Sequence, residues 1–173
     1  MKILGFAAST SKASINKKLV SYAASLISDS DVEIIDLNDF ELPLFSVDKE
    51  KDLGVPVAAE RFLTLIQSAD KVIISFAEHN GSYSAAYKNI FDWASRIGPK
   101  VYAEKDMVLL STSPGGRGGA SVLASAETSI PRFGGNVVGT LSLPSFNDNF
   151  DTDKNCISNA ELDNKLKVIM SLL

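Results

Sequence analysis

Apolar residues in this chain fall into two alternating patterns: short continuous runs, and longer runs with a period near four. The continuous runs cover residues 2–7, 32–37, 72–76, 106–112 and 136–143. Each has the length and near-unbroken hydrophobicity of a strand buried on both faces. Between them lie helical periodicities. The first opens at Ser14 or Asn16, both good N-cap types, and extends to about residue 28 with Leu19, Tyr22, Ala23 and Leu26 on one face. A second covers residues 58–69, with Phe62, Leu65 and Ile66 inward. A third carries Ala86, Ile90, Phe91 and Trp93 and stops at Gly98-Pro99. A fourth occupies residues 120–133, distorted near its end by Pro131, and a fifth residues 161–172, with Leu162, Leu166, Ile169 and Met170 as its apolar stripe. Five strands alternating with five helices predict an α/β fold built on a doubly wound, five-stranded parallel sheet. No repeat or linker interrupts the pattern, so residues 1–173 read as one domain. Residues 38–57, with Pro43, Pro56 and a charged run, read as a surface excursion, and residues 144–159 as a polar connection.

In such a sheet, the loops after the first, third and fourth strands emerge at the carboxyl edge, where open α/β sheets bind ligands. The chain's least ordinary segments fall there. Residues 9–16 offer hydroxyls at Ser9, Thr10, Ser11 and Ser14 and an amide at Asn16 ahead of a helix N-terminus. Free N–H groups and a partial positive charge at that terminus suit a phosphate, although a Ser/Thr run before a helix also serves as a plain cap. Neither a G-x-x-x-x-G-K-[ST] nor a G-x-G-x-x-G pattern is present, which argues for a mononucleotide phosphate over a dinucleotide. The second loop, Glu78-His79-Asn80-Gly81-Ser82, contains an Asn-Gly turn that tolerates positive φ and can aim successive N–H groups at one flat ring. His79 can pack on that ring or bond its edge, and Glu78 can either meet the ligand or cap locally. The third loop, Ser113-Pro114-Gly115-Gly116-Arg117-Gly118-Gly119, lets backbone approach a ligand closely.

Composition narrows the picture. A net charge of −4 with no basic cluster excludes an ordinary nucleic-acid partner. No run approaches the roughly 20 apolar residues of a membrane helix. One cysteine, Cys156, permits no intrachain disulfide, and with the single His79 it cannot make a standard zinc site. The opening residues are too short an apolar run for a secretory signal, so the expected setting is soluble and cytoplasmic.

The three loops together resemble the NADPH-dependent FMN reductase family. Its first-loop pattern G-S-x-R-x-x-S-x-N is similar to residues 8–16 at Ser9, Ser14 and Asn16. Its second, P-E-Y-N-G-S-Y-P-G-x-L-K-N-x-x-D-W, is similar to residues 77–93 at Glu78, Asn80 to Tyr83, Lys88, Asn89, Asp92 and Trp93. The third loop shares the family's Ser/Gly richness, and the likeness extends over residues 1 to about 145. Ser11, Ala77 and His79 stand where the family has Arg, Pro and Tyr. The resemblance implies a flavodoxin-like sheet of order 2-1-3-4-5. It also implies FMN as cofactor, with NAD(P)H as co-substrate. Ser9, Ser11, Ser14, Ile15 and Asn16 would hold the FMN phosphate. Glu78, His79, Asn80, Gly81, Ser82, Ser113, Pro114, Gly115 and Gly116 would border the ring. It implies reduction of a small electron acceptor with no side-chain nucleophile or base, and a homodimer or homotetramer, for which the helix bearing Tyr87, Phe91 and Trp93 is a candidate contact. Two other readings remain open: a flavin-bound electron carrier, and a flavin-free interaction domain of the same fold.

Overall fold

A computed structural model describes residues 1–173. The chain opens with strand β1 (Lys2–Ala8), helix α1 (Ile15–Ser25) and strand β2 (Asp31–Ile35), then passes through two helices, α2 (Val47–Leu53) and α3 (Val57–Ser68). Strand β3 (Lys71–Phe76) leads into a small hairpin, β4 (Glu78–His79) and β5 (Ser82–Tyr83), followed by α4 (Ala85–Ile97). Strand β6 (Lys105–Thr112), helix α5 (Ala120–Ser129) and strand β7 (Gly135–Leu143) come next. A short helix α6 (Phe146–Asn149), a hairpin of β8 (Phe150–Asp151) with β9 (Cys156–Ile157), and helix α7 (Ala160–Met170) complete it.

Strands β2, β1, β3, β6 and β7 lie side by side in that order, all parallel. This is the expected order 2-1-3-4-5. Successive side chains of a strand point to opposite faces, and β1 shows it: Leu4 and Phe6 enter a core with Phe62, Ile66, Tyr87 and Val122, while Ile3 enters the other with Leu19, Val20 and Leu166. Helices α3, α4 and α5 therefore cover one face, and α1 and α7 the other. Burial on both faces explains why the inner strands read as continuous apolar runs.

Local expectations met tertiary structure unevenly. Helix α1 ends at Ser25, earlier than its periodicity indicates, and buries Val20 and Ala24 while Tyr22 and Leu26 are only half-buried. The fourth helix stops at Ser129 and continues as a 3₁₀ turn, Ile130–Phe133, where Pro131 lacks a backbone N–H. Within the excursion, Ser46 caps α2, a helix that buries no side chain. The excursion is stitched to α4. Asn89 Oδ1 accepts from Phe45 N–H at 2.8 Å, its Nδ2 donates to Pro43 O at 3.1 Å, and Trp93 Nε1 donates to Pro43 O at 2.8 Å. Residues 144–159 are not merely a polar connection: Phe146, Phe150 and Ile157 plug the core on the α7 side. Tyr87 and Trp93 are core residues, and only Phe91 of the three candidate contact aromatics is partly exposed.

Candidate functional site

β1, β3 and β6 end at the same edge of the sheet, and their three loops surround one cleft of about 190 Å³. The first loop begins with a tight turn in which Ser9 Oγ accepts from Ser11 N–H at 3.1 Å. Ser14 then caps α1, its Oγ accepting from Lys17 N–H at 3.1 Å. The cap fixes the helix start so that the backbone N–H groups of Ala13, Ile15 and Asn16 have no acceptor within the protein. Asn16 is almost wholly buried. Its Nδ2 donates to Thr112 O at 3.2 Å, and its Oδ1 accepts from Ser75 Oγ at 2.8 Å and Thr112 N–H at 3.0 Å. One amide thus clamps the start of α1 to the ends of β3 and β6.

The second loop is a two-residue hairpin. Asn80 (φ 52°) and Gly81 (φ 78°) both take left-handed backbone, the combination required by a type I′ turn and the reason Asn-Gly favours one. Ser84 caps α4 and donates to Ala8 O at 2.8 Å, tying the hairpin's base to the end of β1. Glu78 Oε2 accepts from Val122 N–H at 2.9 Å, in the first turn of α5. A carboxylate there satisfies an orphan donor and complements the helix dipole. Glu78 therefore lines the cleft while its charge is committed to α5. The exposed imidazole of His79 lines the cleft and has no hydrogen-bond partner in the protein.

In the third loop, the glycines divide by role. A Cβ on Gly118 (φ 57°) would meet the Leu143 backbone at 2.8 Å, so this position is held to glycine by packing as well as by φ. A Cβ on Gly116 would meet nothing within 4 Å, leaving its backbone open to a ligand. Arg117 is engaged by the Ser121 hydroxyl and does not line the cleft.

Ser9, Ser11, Ser14, Ile15, Asn16, Glu78, His79, Ser113 and Pro114 are thus brought around one cleft. Asn80, Gly81, Ser82, Gly115 and Gly116 stand outside its lining, at exposed tips of the second and third loops. Thr112, Ala13 and Ala77 also line it and were missed. Thr112 had a readable signal: a polar residue closing an otherwise apolar strand at the ligand edge. Glu78 and His79 are the only ionisable side chains in the lining. Nearby, Lys17 is paired with Asp36 at 2.6 Å, and this bond holds the Asp36 carboxyl below its usual range. An anion in the cleft would accordingly be held by helix-terminal amides and hydroxyls, with no lysine or arginine in the wall. This donor set fits a phosphate ester, and the open backbones at Gly81 and Gly116 fit the face or edge of a flat ring. A larger hollow of about 420 Å³ adjoins on the β2 side, lined in part by Leu37, Phe40, Leu42 and Ile90; it takes only Thr10 from the three loops.

Comparison with known proteins agrees with this geometry. The family model described as NADPH-dependent FMN reductase matches residues 1–148. The chain belongs to this family. Among curated family relatives, an NADPH:quinone oxidoreductase of Arabidopsis thaliana is 34% identical over 125 residues, covering 70% of this chain and 62% of that protein. An NAD(P)H-dependent FMN reductase of Pseudomonas aeruginosa is 32% identical over 116 residues, covering 66% of this chain and 61% of the relative. The chain thus spans about three fifths of the length of the curated relatives it matches. Among solved structures, FerB, a flavoenzyme NAD(P)H:(acceptor) oxidoreductase from Paracoccus denitrificans, superposes with a TM-score of 0.75 at 22% identity, covering 99% of this chain and 96% of that one. The azoreductase AzrA gives 0.65 at 17% identity, covering 99% and 100%. At these identities the structural matches establish the flavodoxin-like fold.

Proposed function

We propose that residues 1–173 act as one domain and form an FMN-dependent NAD(P)H oxidoreductase, which passes electrons from a reduced nicotinamide to a small acceptor such as a flavin, quinone, azo compound or metal oxyanion. The observation that carries this reading is the convergence of three sequence-distant loops on one cleft whose wall presents free helix-terminal amides and hydroxyls, with exposed glycine backbone on the loop tips beside it. Family membership and the names of the relatives support it. In this reading Ser9, Ser11, Ser14, Ile15 and Asn16 hold the FMN phosphate through first-turn amides and hydroxyls. Asn16 also acts from behind, by bracing the loops. Residues 78–82 and 113–116 border the ring, Glu78 through its backbone. The bound flavin supplies two-electron transfer; the chain orients it and sets its electrostatic surroundings.

Anaerobic mixing of FMN-loaded protein with NADPH or NADH tests the proposal. Rapid loss of flavin absorbance, restored by a quinone, is expected. FMN binding without rapid bleaching would favour an electron carrier, and no FMN binding a flavin-free interaction domain. We also propose a cytoplasmic setting and a homodimer or homotetramer. Leu44, Val47, Leu53 and Val57, each at least 60% exposed, form an apolar stretch on the excursion consistent with a second copy docking there. A monomer at every concentration in light scattering would refute the oligomer.

A further inference from the structure

We infer that His79 is the proton donor to a quinone acceptor at the mouth of this cleft. The inference rests on the oxidoreductase reading and adds to it a catalytic side chain. Among the residues lining the cleft, only His79 and Glu78 carry ionisable side chains. Glu78 is engaged through Val122 N–H, with its carboxylate turned to α5. The imidazole of His79 is exposed, without a protein partner, and carried on a hairpin whose aim is fixed by the Asn80-Gly81 turn and by Ser84 on Ala8 O. Other charged groups nearby are directed elsewhere: Arg117 to Ser121, Lys17 to Asp36, and Lys12 outside the lining. Tyr83, on the same hairpin, bonds Ser129 at 2.9 Å, and burial pushes its phenol up, away from proton exchange near neutrality.

The stoichiometry requires a proton that the hydride equivalent does not bring. A quinone becoming a hydroquinone gains two electrons and two protons. Both electrons and one proton arrive as the hydride equivalent that the reduced cofactor supplies, forming one new bond to hydrogen. The second proton must be delivered to the other oxygen. An imidazolium at the mouth of the cleft gives up its N–H, becomes neutral, and is reprotonated from solvent, to which it is open. A solvent-open imidazole can act as a general acid and then regain its proton from water.

The test uses FMN-loaded protein and two acceptors: a benzoquinone, which needs the proton, and ferricyanide, which takes electrons alone. The quinone rate divided by the ferricyanide rate cancels effects on cofactor loading or nicotinamide oxidation. For His79→Gln this ratio is expected to fall about 100-fold, a typical general-acid contribution. His79→Tyr, whose phenol keeps its proton to about pH 10, should retain more of the ratio than His79→Gln. A ratio unchanged in both variants overturns the inference. An independent readout comes from NMR, because His79 is the only histidine. FMN binding should shift its imidazole resonances; resonances that ignore FMN would overturn it. If NADPH and NADH both fail to bleach the flavin, the oxidoreductase reading falls. Bleaching and ferricyanide reduction with an unchanged quinone ratio defeat the role of His79 alone.

Discussion

Replacing Asn16 with alanine removes the three hydrogen bonds that hold α1, β3 and β6 together at the ligand edge. Thr112 and Ser75 are 1% and 0% exposed, so the Thr112 N–H and the Ser75 hydroxyl are stranded inside the protein. A stranded buried group costs about 1–3 kcal/mol. The Ser75 hydroxyl can rotate and cleft water can reach part of the gap, so the total should be about 3 kcal/mol, near the low end of the sum for three groups. For a chain of this size that corresponds to a fall in Tm of about 6–12 °C. Asn16→Asp keeps both acceptor contacts and gains from a negative charge beside a helix N-terminus, but it sets a carboxylate oxygen against Thr112 O in place of the donor. It should weaken FMN binding more than alanine does, by setting a carboxylate beside the phosphate. Ser75→Ala, which deletes one of the bonds, should cost about 1 kcal/mol. Urea midpoints at constant m-value, with FMN titrations on the same samples, give the readout. An alanine variant within about 0.5 kcal/mol of the parent would refute the clamp.

Gly118→Ala should destabilise by more than about 1 kcal/mol, from positive φ plus a clash with Leu143, whereas Gly116→Ala should leave stability nearly unchanged and weaken FMN binding; equal stabilities would contradict the division of roles. Asn80→Asp should lower FMN affinity by presenting a carboxylate to an electron-rich ring edge, and unchanged affinity would count against the hairpin's placement. Lys71 holds the Asp106 carboxyl below its usual range, so this pair's contribution is complete above about pH 4 and is lost as pH falls through the lower folded value. Asp106→Asn should therefore flatten the acid limb of a stability–pH curve. Burial pushes the phenols of Tyr87 and Tyr102 up, so their contribution is present below the ordinary tyrosine value of about 10 and is lost as pH rises past it. Their ionisation, followed by ultraviolet absorbance, should coincide with alkaline unfolding.

The sheet was readable because each of its strands carries its own signal: a continuous apolar run needs no knowledge of its neighbours. The ligand edge was readable for a related reason, since the strand–loop–helix order alone assigns residues 9–16, 78–82 and 113–119 to one rim. What local pattern could not supply was pairing across distance. Glu78 reads equally as a ligand contact or a cap until Val122, 44 positions on, is found against its carboxylate. Asn16 reads as an N-cap candidate, but its partner Thr112 lies 96 positions away and Ser14 takes the cap. Helix α2 and the β8–β9 hairpin were hidden because neither has a strong periodicity: α2 buries nothing, and Phe146, Phe150 and Ile157 are scattered among polar residues. The family's K-N-x-x-D-W segment looks like part of a binding motif, yet here Asn89 and Trp93 act on residues 42–45 of their own chain.

That last arrangement gives the molecule a built-in optical gauge. The chain contains a single tryptophan, and its indole N–H is bonded to Pro43 O with the Phe45 ring edge-on at 5.1 Å. Peeling residues 42–45 away would wet that indole without disturbing a single strand pairing. Emission would then redden ahead of any circular-dichroism change, so one fluorophore distinguishes loss of a flap from collapse of the whole molecule.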